Sequence, residues 1–217
     1  MVHHDMNKQL ISLQEYQRIS ETIYSVLLFL GLTPTKSCSY FSIIGAFLLH
    51  EHFGITCKSY SGGASYYLSS EEDAVLSFVE QVGPNSYAGT INAFHSWNQN
   101  EEFIIDFQAP LFPEMINGKF QEVDIPSKMF QKKLSEQCQT PLQFRQNGDF
   151  CHQPDNELTK HMVDIFVNEP LNMDMVKICS KWFVNPISKM EDNIEIKLNT
   201  GQSKSIFLQK IKLLGAW

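Results

Sequence analysis

The sequence predicts an α+β fold in which a buried helix packs on an antiparallel sheet. Residues 37–49 are apolar on nearly every side of a helix, and such a helix is expected to be buried at the centre of a domain. Residues 91–97 and 103–107 alternate with a period of two and are joined by a hydrophilic turn, which predicts adjacent antiparallel strands. Further stretches with helical spacing precede and follow these strands.

The composition is that of a globular protein without a basic surface. Of the 217 residues, 43% are hydrophobic and 19% are charged, which is enough apolar material for one domain with a sizeable core. Lys and Arg number 17 against 24 Asp and Glu, so the net charge is -7. A general binder of nucleic acid or of anionic membranes needs a basic face, and we therefore expect neither partner.

Two features predict a cytoplasmic protein. The first residues are polar and lead into an amphipathic helix rather than a secretory apolar segment, and the longest apolar runs are too short to cross a bilayer. Five cysteines are an odd count without the spacing of a small disulfide scaffold, so reduced thiols are expected. The sequence leaves the oligomeric state open.

The remaining elements follow from periodicity and from turn residues. Before residue 90 we expect a helix over 13–30, the central helix ended by Gly54, a hairpin that turns at Gly62 and Gly63, and a helix begun by the capping-box residues Ser69 and Glu72. After residue 110 we expect a helix from 125 to 134, a helix capped by Asp155, a helix over 173–183 and a C-terminal hairpin from 194 to 214. Residues 1–217 are expected to form one domain, with a catalytic-like core over 1–110 and a covering C-terminal lobe over 111–217.

Cys38 is expected at the N-terminus of the central helix. Pro34 disfavours helical geometry at Thr33, and Ser37 is a preferred N-cap residue, so Cys38 falls in the first turn. The positive end of the helix dipole and the neighbouring Lys36 both lower the free energy of a thiolate there. The alternative is that Cys38 is a small buried hydrophobic residue, as free cysteines often are.

The two adjacent strands carry a histidine and an aspartate that are able to meet. Alternation places His95 on the same face as Trp97, and it points Asp106 away from its apolar neighbours Ile105 and Phe107. Aspartate is depleted in strands, so one inside such an apolar run needs a reason. Because the strands are antiparallel neighbours, the two side chains are expected within hydrogen-bond reach.

A thiol-dependent acyl-transfer site needs a cysteine, a histidine and an aspartate, and the sequence offers Cys38, His95 and Asp106. The thiolate attacks an acyl carbon, the imidazole exchanges the proton, and the carboxylate fixes the imidazole tautomer and stabilises its cation. Each strand residue also has a simpler interpretation, His95 as a hydrogen-bonded core residue and Asp106 as an acceptor for the backbone. The three types in this order favour catalytic or ancestrally catalytic geometry.

The same residues carry a resemblance to known families. A Cys-bearing helix, then His95-x-Trp97, then Ile-Asp106-Phe resembles the core of papain-like cysteine peptidases and of transglutaminase-like proteins. The His-x-Trp pair followed by Ile-Asp-Phe-Gln-Ala-Pro is similar, more narrowly, to the bacterial family called domain of unknown function 2026. The resemblance implies a cysteine-proteinase-like α+β fold with Cys38 as nucleophile, His95 as base and Asp106 as orienting residue.

The sequence says less about the substrate cleft than about the three candidate catalytic residues. Papain-like enzymes place a glutamine shortly before the nucleophile, whereas the nearest upstream glutamine here is Gln17, inside a helix. The backbone N–H of Cys38 is therefore the one oxyanion donor that the sequence indicates. Thr35, Ser37 and Trp97 are expected beside the cleft, although a packing role is favoured for Trp97.

We therefore expect a peptidase- or amidase-like hydrolase that acts on a peptide or a small acyl-containing substrate. A transglutaminase-like or other acyltransferase differs only in the acceptor, and a non-catalytic binding module would keep the cleft without the chemistry. No cofactor or metal is expected. Cys138, Cys151, His152 and His161 have the residue types of zinc ligands, but their spacing fits no established pattern.

Overall fold

The polypeptide folds as a mixture of helices and antiparallel strands, as the sequence predicts. A computed structural model describes residues 9–117, 124–184, 190–197 and 200–217. Its helices are α1 (Leu13–Phe29), α2 (Cys38–Phe53), α3 (Phe112–Asn117), α4 (Asn156–Asn168) and α5 (Pro170–Lys181). None of the helices in these ranges is long and apolar enough to cross a lipid bilayer.

The strands form one large sheet and two small ones. In chain order they are β1 (Lys58–Ser69), β2 (Ala74–Phe78), β3 (Glu80–Gly83), β4 (Ser86–Ala88), β5 (His95–Gln99), β6 (Phe103–Asp106), β7 (Phe130–Lys133), β8 (Phe150–Pro154), β9 (Asn193–Lys197) and β10 (Ser203–Phe207). The large antiparallel sheet has the order β2-β1-β5-β6-β7, and β8 also pairs with β1. The hairpins β3–β4 and β9–β10 are separate.

The large sheet separates two hydrophobic clusters. One cluster joins α1, α2 and α5 to Ile105 and Phe107. The other is centred on Tyr66 of β1 and Trp97 of β5, and it includes Ile104. Ile104 and Ile105 are consecutive in β6 and belong to different clusters, because successive strand side chains point to opposite faces.

Helix α2 begins at Cys38 and ends at Gly54, as predicted from the sequence. A short 3₁₀ helix at Pro34–Lys36 precedes it, and Gly54 closes it in the left-handed conformation with φ of 66°. The helix packs against α1, α4, α5, β1 and β5. It is not buried on every side, since Phe47 is 39% exposed. The expectation of a fully enclosed helix was therefore wrong on that face.

Three local predictions were wrong. The expected turn at Gly62 and Gly63 lies inside the continuous strand β1, and residues after the expected capping box form strand β2 instead of a helix. The expected helix over 125–134 contains strand β7. In each case the segment gains a neighbouring strand: β2 pairs with β1, and β7 pairs with β6. Tertiary pairing therefore overrides the local signals.

The segment after residue 110 is built into the same sheet. It supplies β7 and β8 to the large sheet, and α5 packs against α1 and α2. Asp155 caps α4 by accepting the backbone N–H of Leu158, as predicted. The terminal hairpin is confirmed as β9–β10, although residues 198 and 199 of its turn lie outside the described residues. We find residues of this segment on both sides of the large sheet.

Candidate functional site

His95 and Asp106 form a buried, directly hydrogen-bonded pair. Nε2 of His95 lies 2.6 Å from Oδ2 of Asp106, and the two residues are 0% and 1% exposed. The contact that alternation on β5 and β6 predicted is therefore present. Because a carboxylate only accepts hydrogen bonds, Nε2 carries the proton and Nδ1 is the ring atom left for another partner.

The Asp106 carboxylate is held by two further donors. The hydroxyl of Tyr66 donates to Oδ2 at 2.8 Å, and the backbone N–H of Gln108 donates to Oδ1 at 2.9 Å. The Tyr16 hydroxyl donates to the backbone carbonyl of Asp106, so the strand end is anchored as well. Such a set of donors stabilises the charged form of a buried carboxylate.

The His95 imidazole is enclosed by aromatic rings. Phe78 stacks on it with ring centroids 4.4 Å apart, and Tyr66 and Phe112 meet it edge-on. Burial lowers the pKa of His95, but the charge and hydrogen bond of Asp106, followed by the interaction with Cys38, outweigh burial and raise the pKa to about 10. His95 is therefore expected to be an imidazolium at neutral pH.

Cys38 is close enough to His95 to interact with its ring. Its thiol contributes to the raised pKa of His95, and its charge is also felt at the Tyr66 hydroxyl, so α2 delivers the sulfur to the same cluster. The contact is looser than that of Asp106, since Nδ1 of His95 has no hydrogen bond of normal length and angle among the described residues. Long catalytic contacts are common in proteins without bound substrate. Cys38 is half-buried, and it is the member of the three with appreciable exposed surface.

The start of α2 differs in one respect from the sequence prediction. Ser37 occupies the N-cap position, but its hydroxyl donates to the carbonyl of Thr33 at 2.8 Å. In the described structure no side chain caps α2, and the N–H groups of Tyr40 and Phe41 donate to the carbonyl of Ser37. The amides of Cys38 and Ser39 are therefore the ones at this helix start that keep their capacity to bind an anion. This leaves the N–H groups near Cys38 as donors for a thiolate or an oxyanion.

The three residues expected beside the cleft occupy different environments. Trp97 is 0% exposed, stacks on Tyr60 and packs against His152 at a tilt, which fits the packing role that the sequence favoured. Ser37 is buried at the start of α2, and Thr35 is half-buried in the preceding turn. Of the three, Thr35 alone combines partial exposure with proximity in sequence to Cys38.

Sequence reasoning missed Tyr66, Gln108 and Phe78. Gln108 connects two parts of the site, because its side chain donates to the carbonyl of Pro34 while its backbone N–H holds Asp106. Its position in Ile-Asp-Phe-Gln, two residues after Asp106, was the only available signal. Tyr66 and Phe78 come from β1 and β2, whose pairing was not predicted. Gln17, the nearest glutamine before Cys38, donates to Glu21 and to the carbonyl of Ile211.

The other cysteines have environments that oppose ionisation. Burial raises the pKa of Cys57 to about 11, and it raises the pKa of Cys179 further. Burial also raises the pKa values of Cys138 and Cys151. Cys151 lies in β8 and is 4% exposed, so access to this thiol is also limited.

The residues considered for zinc do not form a cluster of ligands. Within the described ranges, no group of three or more His, Cys, Asp or Glu side chains is arranged to hold a metal ion. His152 instead lies in the aromatic cluster, where burial first and the charge of His95 second lower its pKa well below the usual value. Its ring packs 4.2 Å from that of Trp97 and 5.1 Å from that of Tyr66.

One cleft on this part of the sheet lies apart from these residues. It has a volume of about 730 Å³ and is lined by residues that include Ser65, Ser77, Tyr87, Leu142 and Cys151. None of Cys38, His95 and Asp106 lines it. Access to the candidate site therefore depends on the exposed part of Cys38.

Comparison with known proteins places the chain in a family. The model of the family described as "Protein of unknown function (DUF2026)" matches residues 12–217. The chain belongs to this family. A solved crystal structure described only as that of a genomics target is 28% identical, covers 98% of this chain and 100% of its own, and has a TM-score of 0.85. No curated protein matches the chain. The narrower of the two resemblances in the sequence is thus confirmed.

Proposed function

We propose that this member of the DUF2026 family is a thiol-dependent acyl-transfer enzyme with a papain-like arrangement of Cys38, His95 and Asp106. The observation that carries the proposal is the His95 imidazole, which is bonded to Asp106 at 2.6 Å through Nε2 and also interacts with the Cys38 thiol. Its substrate would be a peptide or a small molecule with an amide, ester or thioester group. The net charge of -7 argues against nucleic acid as a substrate.

In the first half-reaction, Cys38 is acylated. The thiolate attacks the carbonyl carbon, a C–S bond forms, and the carbonyl electron pair moves to oxygen. The N–H groups at the start of α2 stabilise that oxyanion, since no side chain in the described structure caps this helix. When the intermediate collapses, the bond to the leaving group breaks, and the leaving group takes the proton from Nδ1 of His95.

In the second half-reaction, the acyl group passes to an acceptor. Neutral His95 takes a proton from the acceptor, which attacks the thioester carbon, and the C–S bond breaks to return the thiolate. Asp106 stabilises the imidazolium that is formed again. Water as acceptor gives a peptidase or amidase, whereas an amine or another nucleophile gives a transglutaminase-like or other acyltransferase activity. A reactive thiol suits a reducing compartment such as the cytoplasm.

Acyl transfer from p-nitrophenyl acetate tests this proposal without knowledge of the natural substrate. We expect a burst of p-nitrophenolate and an acetyl group that peptide mapping locates on Cys38. Cys38→Ser should abolish the burst, and His95→Ala should slow it by a factor of about 10² or more, because general acid–base catalysis contributes that much. Cys138→Ser, at the other half-buried cysteine, is the matched control and should keep the burst. Acetylation mapped elsewhere would contradict the proposal.

A second candidate is a non-catalytic binding module on the same fold. It is favoured by the complete burial of His95 beneath Phe78, which is the environment of a structural ion pair. In that case Cys38→Ser and wild-type protein would release p-nitrophenolate at the same rate. The two candidates therefore give opposite results in the same experiment.

A further inference from the structure

Tyr66 makes a specific contact with the buried pair. Its hydroxyl donates to Oδ2 of Asp106 at 2.8 Å, the same oxygen that accepts Nε2 of His95 at 2.6 Å. Tyr66 is 0% exposed, so water does not readily replace its hydroxyl if that group is removed. The other carboxylate oxygen is held by the backbone N–H of Gln108 at 2.9 Å.

The ring of Tyr66 is itself fixed by packing. Phe112 and Phe130 lie 4.6 Å and 5.0 Å from it between ring centroids, and His152 lies 5.1 Å away. The backbone of Tyr66 in β1 pairs with that of Phe150 in β8, and this pairing sets its position. A hydroxyl on such an immobile ring is already oriented, so little side-chain entropy opposes its hydrogen bond.

We propose that Tyr66 is a positioning residue, which holds the Asp106 carboxylate in the orientation that His95 requires. The inference rests on the proposed function, because the orientation matters through the effect of His95 on Cys38. The terminal torsion of aspartate is broad, and the Gln108 N–H fixes only one of its two oxygens. Tyr66 fixes the second oxygen, and with it the direction of the bond to Nε2.

The pKa of His95 is raised by Asp106 and Cys38, and four titratable groups lie around the ring. They are Cys38 of α2, Tyr66 of β1, Asp106 of β6 and His152 of β8. Burial and the charge of Asp106 keep the Tyr66 hydroxyl protonated by raising its pKa well above the usual value. It therefore remains a donor over the whole range in which His95 and a thiol titrate.

The test replaces Tyr66 by Phe, which removes the hydroxyl and keeps the ring. A freer carboxylate stabilises the imidazolium less, so the pKa of His95, measured by NMR titration of labelled histidine, should fall by about one unit. His95 stays an imidazolium at pH 6 in this variant, so the effect on Cys38 comes from orientation: a ring that is held less firmly supports the Cys38 thiolate less. The midpoint of the pH profile for Cys38 alkylation by iodoacetamide should therefore rise. At about pH 6 the rate should fall roughly tenfold.

Two tyrosines provide matched controls. Tyr16→Phe removes another buried hydroxyl that contacts Asp106, but at its backbone carbonyl, and Tyr67→Phe removes a surface hydroxyl bonded to Asp73. Both should leave the His95 titration and the alkylation profile unchanged. Equal shifts in Tyr66→Phe and Tyr16→Phe would indicate loosened structure and overturn the inference.

The outcomes also separate this inference from the proposed function. If His95→Ala moves the alkylation profile while Tyr66→Phe does not, the positioning role is wrong and the thiol site stands. If His95→Ala leaves the profile unchanged, the proposed function itself is contradicted. A shift of the NMR titration in Tyr66→Phe would in that case still assign Tyr66 to the Asp106–His95 pair.

Discussion

Two histidines in one aromatic cluster show opposite shifts because their partners differ. Both His95 and His152 are buried, which lowers the pKa of each. His95 has the Asp106 carboxylate at 2.6 Å and its pKa is raised, whereas neither ring nitrogen of His152 has a hydrogen-bond partner in the described part of the chain. The carboxylate, not burial, therefore decides which imidazole carries a charge.

We predict that His152 lowers the free energy of unfolding in mild acid. Its pKa is lowered in the folded protein, so below the unfolded value of about 6.5 the unfolded chain binds a proton that the folded chain does not. The free energy of unfolding should fall by about 1.4 kcal/mol between pH 7.5 and pH 5.5 from this residue alone. His95 acts in the opposite sense: its stabilisation is complete below about pH 6.5 and is lost as pH rises through about 10.

Urea unfolding of His152→Leu at pH 7.5 and pH 5.5 measures this effect. The variant should lose less stability in acid than wild type by about 1.4 kcal/mol, because leucine does not titrate. Gln153→Leu, at an exposed neighbouring position on β8, is the control and should keep the wild-type dependence. An equal acid loss in wild type and His152→Leu would contradict the assignment.

At the candidate site, the sequence predicted the three residues with the chemistry, but it did not predict the residues that hydrogen-bond to them and fix their orientation. Cys38 was indicated by a helix start, and His95 and Asp106 by alternation on two strands joined by a short turn. These signals are local in sequence. Tyr66 contacts Asp106 across 40 residues, through a strand pairing that no local pattern specifies. Such a contact can be predicted only when the pairing and register of the strands are known.

Among the elements, prediction succeeded where periodicity and caps agreed. Helices α1 and α4 have clear apolar spacing and N-capping side chains, and they lie where expected. Helix α2 was indicated instead by its apolar run and by Gly54 at its end. The Gly62-Gly63 pair was misinterpreted as a turn. In the structure a Cβ on Gly62 would lie 2.1 Å from the carbonyl oxygen of Gln153, which leaves no space for a side chain, and a Cβ on Gly63 would lie 3.1 Å from the backbone nitrogen of Gly89, which is tight. The glycines therefore serve close backbone packing inside a strand.

Replacing Gly62 by Ala tests this interpretation of the strand. The added Cβ would lie 2.1 Å from the carbonyl oxygen of Gln153 in β8, so backbone must move. We expect a loss of about 1–3 kcal/mol or more in the free energy of unfolding. Gly83→Ala is the control, since its Cβ would meet only the Ser86 side chain at 3.6 Å. Similar stabilities for the two variants would show that the close approach is not required.

At the scale of the whole molecule, the segment after residue 110 is part of the large sheet and does not only cover it. It contributes β7 beside the strand of Asp106 and β8 beside the strand of Tyr66. The sequence did not predict this because β7 was interpreted as part of a helix and β8 was not recognised. Distant parts of the chain thus enclose the His95–Asp106 pair and leave Cys38 as its exposed side.

The proposed function requires one thiol out of five to be activated. Cys57, Cys138, Cys151 and Cys179 all have raised pKa values, with burial as the largest cause. Cys38 has instead the N-terminus of α2 and the His95 imidazolium beside it. Reaction with an alkylating agent follows thiolate fraction and access together, so it distinguishes the five thiols directly.

The most direct measurement is to find which cysteine is alkylated first, by limiting iodoacetamide at about pH 6 and peptide mapping. At this pH an unperturbed thiol with a pKa near 8.5 is almost fully protonated and reacts slowly. We predict that Cys38 is labelled first and that His95→Ala slows this labelling at least tenfold, about one pKa unit. His161→Ala, at an exposed position on α4, should leave the rate unchanged. Labelling of Cys138 before Cys38, or an unchanged Cys38 rate in His95→Ala, would contradict an activated nucleophile at this site.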